Sequence, residues 1–112
     1  MDQIFKALSE DSRLRILSVL FKSELCSCEI EDILQLTQSN VSQHLKVLKN
    51  AGIIKSYKDA QWIHYSISEE FKSENEELYR YLDGHLKGLS TYKAEIERLY
   101  KCKQKDLCNL KN

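Results

Sequence analysis

Two cysteines, Cys26 and Cys28, stand one residue apart in the stretch ELCSCEIEDIL (24–34), and two more, Cys102 and Cys108, lie near the end of the chain. Thiolates are soft ligands that select soft or borderline ions, among them As(III), Sb(III), Cd, Pb, Zn and Cu(I). Spacing sets a condition on that chemistry. On a regular α-helix, residues i and i+2 point about 200° apart, so one ion is out of reach of both. On an extended segment the same spacing puts both side chains on one side. Chelation by this pair therefore requires the first turn of a helix beginning here to be open or to unwind. Cys102 and Cys108 sit about 240° apart on a straight helix and converge only if the tail is not helical. The competing readings are plain packing and reversible oxidation. Lys22 favours a reactive thiolate, but Glu24, Glu29 and Glu31 oppose it and suit cation binding better.

A second set of residues has the chemistry of DNA reading. In TQSNVSQHLKVLKNAG (37–52), Val41, Leu45 and Leu48 recur at helical spacing and form a buried face. The opposite face carries Ser39, Gln43, Lys46 and Asn50, flanked by Asn40 and Ser42. Gln and Asn bond adenine edges in the major groove, Ser bonds bases or phosphate, and Lys neutralises phosphate. His44 lies nearer the buried edge, where a phosphate contact fits better than base reading. The alternative is the wet face of an ordinary surface helix. Charge favours the first reading: Lys46, Lys49, Lys55 and Lys58 against Asp59 leave residues 37–65 at +3, while the whole chain sums to zero.

The elements that must position these residues follow from pattern. A first helix is expected over Asp2–Leu8, and a second from Asp11 or Ser12, either of which suits its cap. A third runs from about Cys28 to Leu36. The fourth starts at Thr37 and stops at Gly52, a natural left-handed cap. IIKSYK and QWIHYSI then read as two strands of a hairpin. Asp-Ala between them is a poor two-residue turn, so a longer, mobile tip is expected. Beyond an acidic stretch, Leu78, Leu82, His85, Leu89, Tyr92, Ile96 and Leu99 keep a strict 4-3 spacing. That is the seam of one long helix seeking a partner helix, with Gly84 and Gly88 allowing close approach or marking a break. The tail after it is polar and expected to fray.

The chain of 112 residues reads as one domain, 1–112, with a modest core that a second copy would complete. Its start, MDQIFKALSE, has neither a basic beginning nor a long apolar run, and no stretch nears the roughly 18 apolar residues of a membrane span. A cytoplasmic protein without a membrane partner is expected, and in that compartment thiols stay reduced. No P-loop, Gly-rich fingerprint or Ser/His/Asp set marks an enzyme or an organic cofactor.

FKALSEDSRLRILSVL, ELCSCEIEDIL, TQSNVSQHLKVLKNAGII and KDAQWIHYSI, spanning about 3–68, resemble consecutive blocks of the ArsR/SmtB family of metal-responsive winged-helix repressors. The resemblance implies a mainly helical α/β fold. It has a helix-turn-helix at about 28–51, a two-stranded β-wing at about 53–68, and dimerisation helices at about 2–8 and 76–101. It implies a homodimer that binds double-stranded operator DNA and is released by metal. The matching DNA-binding positions are Gln38, Ser39, Asn40, Ser42, Gln43, His44 and Lys46, with Lys58 and Gln61 in the wing. At the wing the family often has Gly-Arg where this chain has Ala60-Gln61. Arsenic-sensing members carry Cys-x-Cys with a third cysteine three residues on. Cys26 and Cys28 match the first two positions and Glu31 takes the third, so Cys102 and Cys108 become candidates for the missing thiol. The inducer implied is As(III) or Sb(III), with Cd, Pb or Zn as the alternative. Two further alternatives are a thiol redox-sensing repressor and a protein-interaction dimer. Asp83-x-His85 resembles half of the family's other, carboxylate–histidine site, whose second half has no histidine here.

Overall fold

The computed structural model describes residues 2–105. Its centre is a helix pair. Helix α3, Ser27–Leu34, buries Ile30, Ile33 and Leu34, and helix α4, Gln38–Asn50, buries Val41, Leu45 and Leu48. Gln35, in the left-handed region at φ 59°, turns the chain between them. The Thr37 hydroxyl then caps α4 by accepting from the Asn40 N–H at 3.2 Å. At the far end Gly52 takes φ 79°, and the Ile53 N–H bonds back to the Leu48 carbonyl at 3.1 Å. That closure is a Schellman stop.

Helices α1, Asp2–Leu8, and α2, Asp11–Leu20, pack behind this pair, with Ile16, Leu17, Val19 and Leu20 in the core. The cap of α2 differs from expectation. Glu10, rather than Asp11 or Ser12, is the N-cap, and its carboxylate accepts from the Ser12 N–H at 3.0 Å. A glutamate has the reach for this, although shorter side chains are preferred there.

The wing is a hairpin of β2, Ile54–Asp59, and β3, Trp62–Ile67, paired from Ile54↔Ile67 to Asp59↔Trp62. That register leaves only Ala60 and Gln61 in the tip, so the longer turn expected from Asp-Ala is not formed. Ala60 adopts φ 56° to close it, the conformation that a glycine takes without strain. The sheet also has a third strand that the two-stranded expectation missed. Residues Leu25–Cys26 form β1, antiparallel to β3, with Leu25↔Tyr65 and Cys26↔His64, giving the order β1-β3-β2. Two residues are too short for any period to reveal.

The expected continuous helix over 76–101 is interrupted. After α5, Glu69–Glu74, capped by Ser68, come α6, Glu76–Leu86, and α7, Tyr92–Lys105, with Gly88 in the turn between them. The seam fails because α7 packs on its own α2 and α3 instead. Glu95, Leu99 and Cys102, spaced four and three apart, form its buried face. His85, expected in the seam, is exposed and stacks on Tyr81 at 5.3 Å. Helix α7 runs through Cys102, so the fraying expected of the tail does not reach that residue.

Candidate nucleic-acid interface and thiol site

The outward face of α4 carries the expected residues. Gln38, Ser39, Asn40, Ser42, Gln43, Lys46 and Asn50 are all exposed, while Val41, Leu45 and Leu48 are buried. Lys58, near the end of β2, and Gln61, in the hairpin tip, are exposed as well. His44 is half-buried, as its place near the inner edge requires. Its Nδ1 lies 3.2 Å from a terminal nitrogen of Arg13, a residue the sequence reading passed over. A signal was available: Arg13 is a cation in the first turn of a helix, where the helix dipole favours an anion.

Cys26 and Cys28 come together at the head of α3. Cys26 is not in the helix. It is the N-cap, extended at φ −87° and ψ 165°, and the last residue of β1. The open first turn that chelation requires is therefore already present, and no unwinding is needed. The two Sγ atoms are 2.9 Å apart, a contact and not a bond. Cys26 itself is disulfide-bonded. Its backbone N–H donates to Glu29 Oε1 at 2.9 Å, so buried Glu29 braces the junction of strand and helix. The pattern Cys26-x-x-Glu29 is a capping-box spacing with cysteine at the cap.

Helix α7 covers this junction. Lys103 Nζ lies 3.5 Å from Glu29 Oε2 and donates to the Glu24 carbonyl at 3.0 Å. Cys102, a free thiol, is buried one residue before it. Burial pushes its pKa up to about 11; Glu29 and Asp32 add to the rise, Lys103 opposes it and Cys28 adds slightly. The thiols of α3 and α7 thus share one electrostatic neighbourhood within a single protomer. Glu31 is half-buried three residues beyond Cys28. Cys108 lies outside the described residues. Among the described residues no group of three His, Cys, Asp or Glu is arranged to hold a metal ion. Once the Cys26 disulfide is reduced, the donor chemistry of Cys26 and Cys28 fits a soft ion, and a third donor has to move in. Asp83 and His85 are both exposed and gain no partner donors from α7.

The recognition pair is held from behind. Arg15 donates to buried Glu95 at 2.6 Å and to the Leu34 carbonyl at 2.7 Å. Arg98 of α7 donates to the Ile33 carbonyl at 2.5 Å. The last carbonyls of α3, next to the turn into α4, are thus satisfied by α2 and α7.

Residues 10–56 match a family described as bacterial regulatory protein, arsR family. The arsenical resistance operon repressor of Bacillus subtilis is 36% identical over 70 residues, covering 62% of this chain and 67% of that protein. The chain belongs to the arsR family. A cadmium resistance transcriptional regulatory protein CadC homolog of Staphylococcus aureus is 41% identical over 69 residues, 61% of this chain. The match spans 57% of that relative's length. Among solved structures, HlyU from Vibrio cholerae is similar with a TM-score of 0.60 and 38% identity, over 70% of this chain and 86% of that one. The arsR family and these relatives are regulators rather than enzymes. No helix among the described residues of this arsR-family chain is long and apolar enough to cross a membrane.

Proposed function

We propose that the chain is a cytoplasmic, homodimeric transcriptional repressor released from operator DNA by a thiophilic ion held at Cys26 and Cys28, As(III) or Sb(III) before Cd, Pb or Zn. The observation that carries this is the convergence of the two sulfurs to 2.9 Å at the junction of β1 and α3. An ion drawing on both sulfurs pulls on a strand paired with the wing and on a helix packed against α4. Both DNA-facing elements are thereby coupled to one site. We take Cys102, whose thiol feels the charge of Cys28, as the candidate third donor, and Cys108 as a fourth. At neutral pH the Cys102 thiol holds its proton, so its recruitment releases one and strengthens with rising pH. Exposed Phe5, Tyr81 and Tyr100, on the first helix and the last two, support a dimer face. The similarity to arsenical and cadmium resistance regulators supports a soft-ion inducer without choosing between them.

The test is a titration of As(III), Cd(II) and Zn(II) into reduced protein on operator DNA, repeated with Cys26→Ser and with Cys102 and Cys108 both replaced. Release by arsenite that is lost in Cys26→Ser supports the reading. Release that is unchanged in Cys26→Ser contradicts it.

A second reading has its own observation. Cys26 is disulfide-bonded, and the similar HlyU was also solved in a form described as reduced. In this reading thiol oxidation, without metal, switches DNA binding. Release by an oxidant in the presence of a chelator separates it from metal sensing.

A further inference from the structure

We propose that Arg13 is a positioning residue for DNA contact: it fixes the His44 ring in the tautomer whose only donor is Nε2–H, a group for the phosphate backbone. The inference rests on the DNA-binding reading and adds to it a residue off the recognition helix.

Arg13 is held on three sides. Its Nε donates to the Ala7 carbonyl at 2.8 Å, and one terminal nitrogen donates to the Lys6 carbonyl at 3.2 Å. These are carbonyls of the last turn of α1, well matched to a cation. The Lys6 carbonyl also accepts from the Ser9 N–H and hydroxyl, whereas Arg13 is the side-chain donor to the Ala7 carbonyl. The other terminal nitrogen faces His44 Nδ1 at 3.2 Å. A guanidinium only donates, so Nδ1 must be the acceptor, and the ring proton resides on Nε2. The contact spans 31 positions of sequence and is part-buried, which protects it from competition by water.

His44 sits between Gln43 and Lys46 on α4, both exposed, at the edge where the helix leaves the core. Phosphate oxygens accept hydrogen bonds and fix a protein's register on the duplex. A ring free to exchange tautomers or flip would offer an acceptor nitrogen to phosphate part of the time, which is repulsive. The Arg13 fork removes that state. Because Arg13 is anchored on α1, it also ties the placement of this donor to the first helix.

Two measurements test this in the reduced full chain. Ring nitrogen NMR of wild type should show His44 protonated at Nε2 and bare at Nδ1. Arg13→Lys, which keeps the charge and loses the fork, should populate both tautomers. Affinity for a mixed-sequence DNA duplex at low salt should fall about fivefold in Arg13→Lys, the size of one hydrogen bond. His44→Ala should fall by a similar factor, and the double variant no further than His44→Ala alone. His44→Gln, whose amide donates without help, should be insensitive to Arg13→Lys. A proton on Nδ1 in wild type, or effects that multiply in the double variant, would overturn the proposal. Absence of duplex binding by wild type would instead overturn the DNA-binding reading beneath it.

Discussion

The guanidinium of Arg15 lies 2.6 Å from the fully buried carboxylate of Glu95, joining α2 to α7 across 80 positions of sequence. Glu95 Oε1 is buried with no hydrogen-bond partner among the described residues, so Arg15 carries the compensation of that charge. Arg15→Ala leaves a buried carboxylate without its cation and removes the bond to the Leu34 carbonyl. A loss of about 3 kcal/mol is expected in urea unfolding. A loss under about 1 kcal/mol would mean that Glu95 is neutral or solvated in the native state.

The exposed face of α4 makes a prediction that separates repressor from interaction module. Gln43→Ala should abolish specific operator binding while the dimer persists in sedimentation. Lys46→Gln should weaken binding to all duplexes alike and lower the salt slope by about one per protomer. Wild-type affinity should itself fall only moderately with salt, since the local excess of charge is small. A flat salt response contradicts the assignment of α4 to DNA.

The buried Cys102 thiol gives a pH signature in reduced, metal-free protein. Its folded pKa is raised to about 11 from an ordinary 9.0. The unfolded chain then loses this proton first, so the native state binds more protons between those values. The contribution is fully present below about pH 9 and is lost as pH rises through about 11. Thermal midpoints should fall over that window in wild type and fall less in Cys102→Ala. Alkylation of Cys102 at neutral pH should be slow, for want of both thiolate and access.

Gly84 lies within α6, and a Cβ built on it meets nothing within 4 Å. Close helix approach inside the protomer is therefore not its purpose. Gly84→Ala should raise stability by about 1 kcal/mol in dilute protein. If the variant instead weakens the dimer, a partner helix crosses at this point.

What was readable in the sequence and what was not divide along physical lines. Helices α3 and α4 and the strands of the hairpin are set by local periodicity, though not the hairpin's tight Ala60-Gln61 tip. The residues of α4 speak directly: Val41, Leu45 and Leu48 inside, Gln43 and Lys46 outside. Where α7 packs was not legible, because the 4-3 apolar spacing through Leu82, Leu89 and Ile96 does not say which surface it meets. The deciding interactions are polar and distant, Arg15 with Glu95 and Arg98 with the Ile33 carbonyl. Strand β1 was hidden by its length, yet it holds Cys26 extended, with its sulfur beside that of Cys28. The thiol residues themselves stood out by type. Their relation to Cys102 depended on tertiary packing that no spacing rule contains.

Coupling between thiol site and DNA is the central claim, and it is reciprocal. If an ion at Cys26 and Cys28 weakens operator binding by some factor, operator must weaken ion binding by the same factor. The most direct measurement is the affinity of reduced protein for As(III), taken free and again saturated with operator duplex. Weaker binding on DNA, matching the factor by which arsenite lowers operator affinity, is expected. Equal affinity in the two states would contradict the mechanism outright.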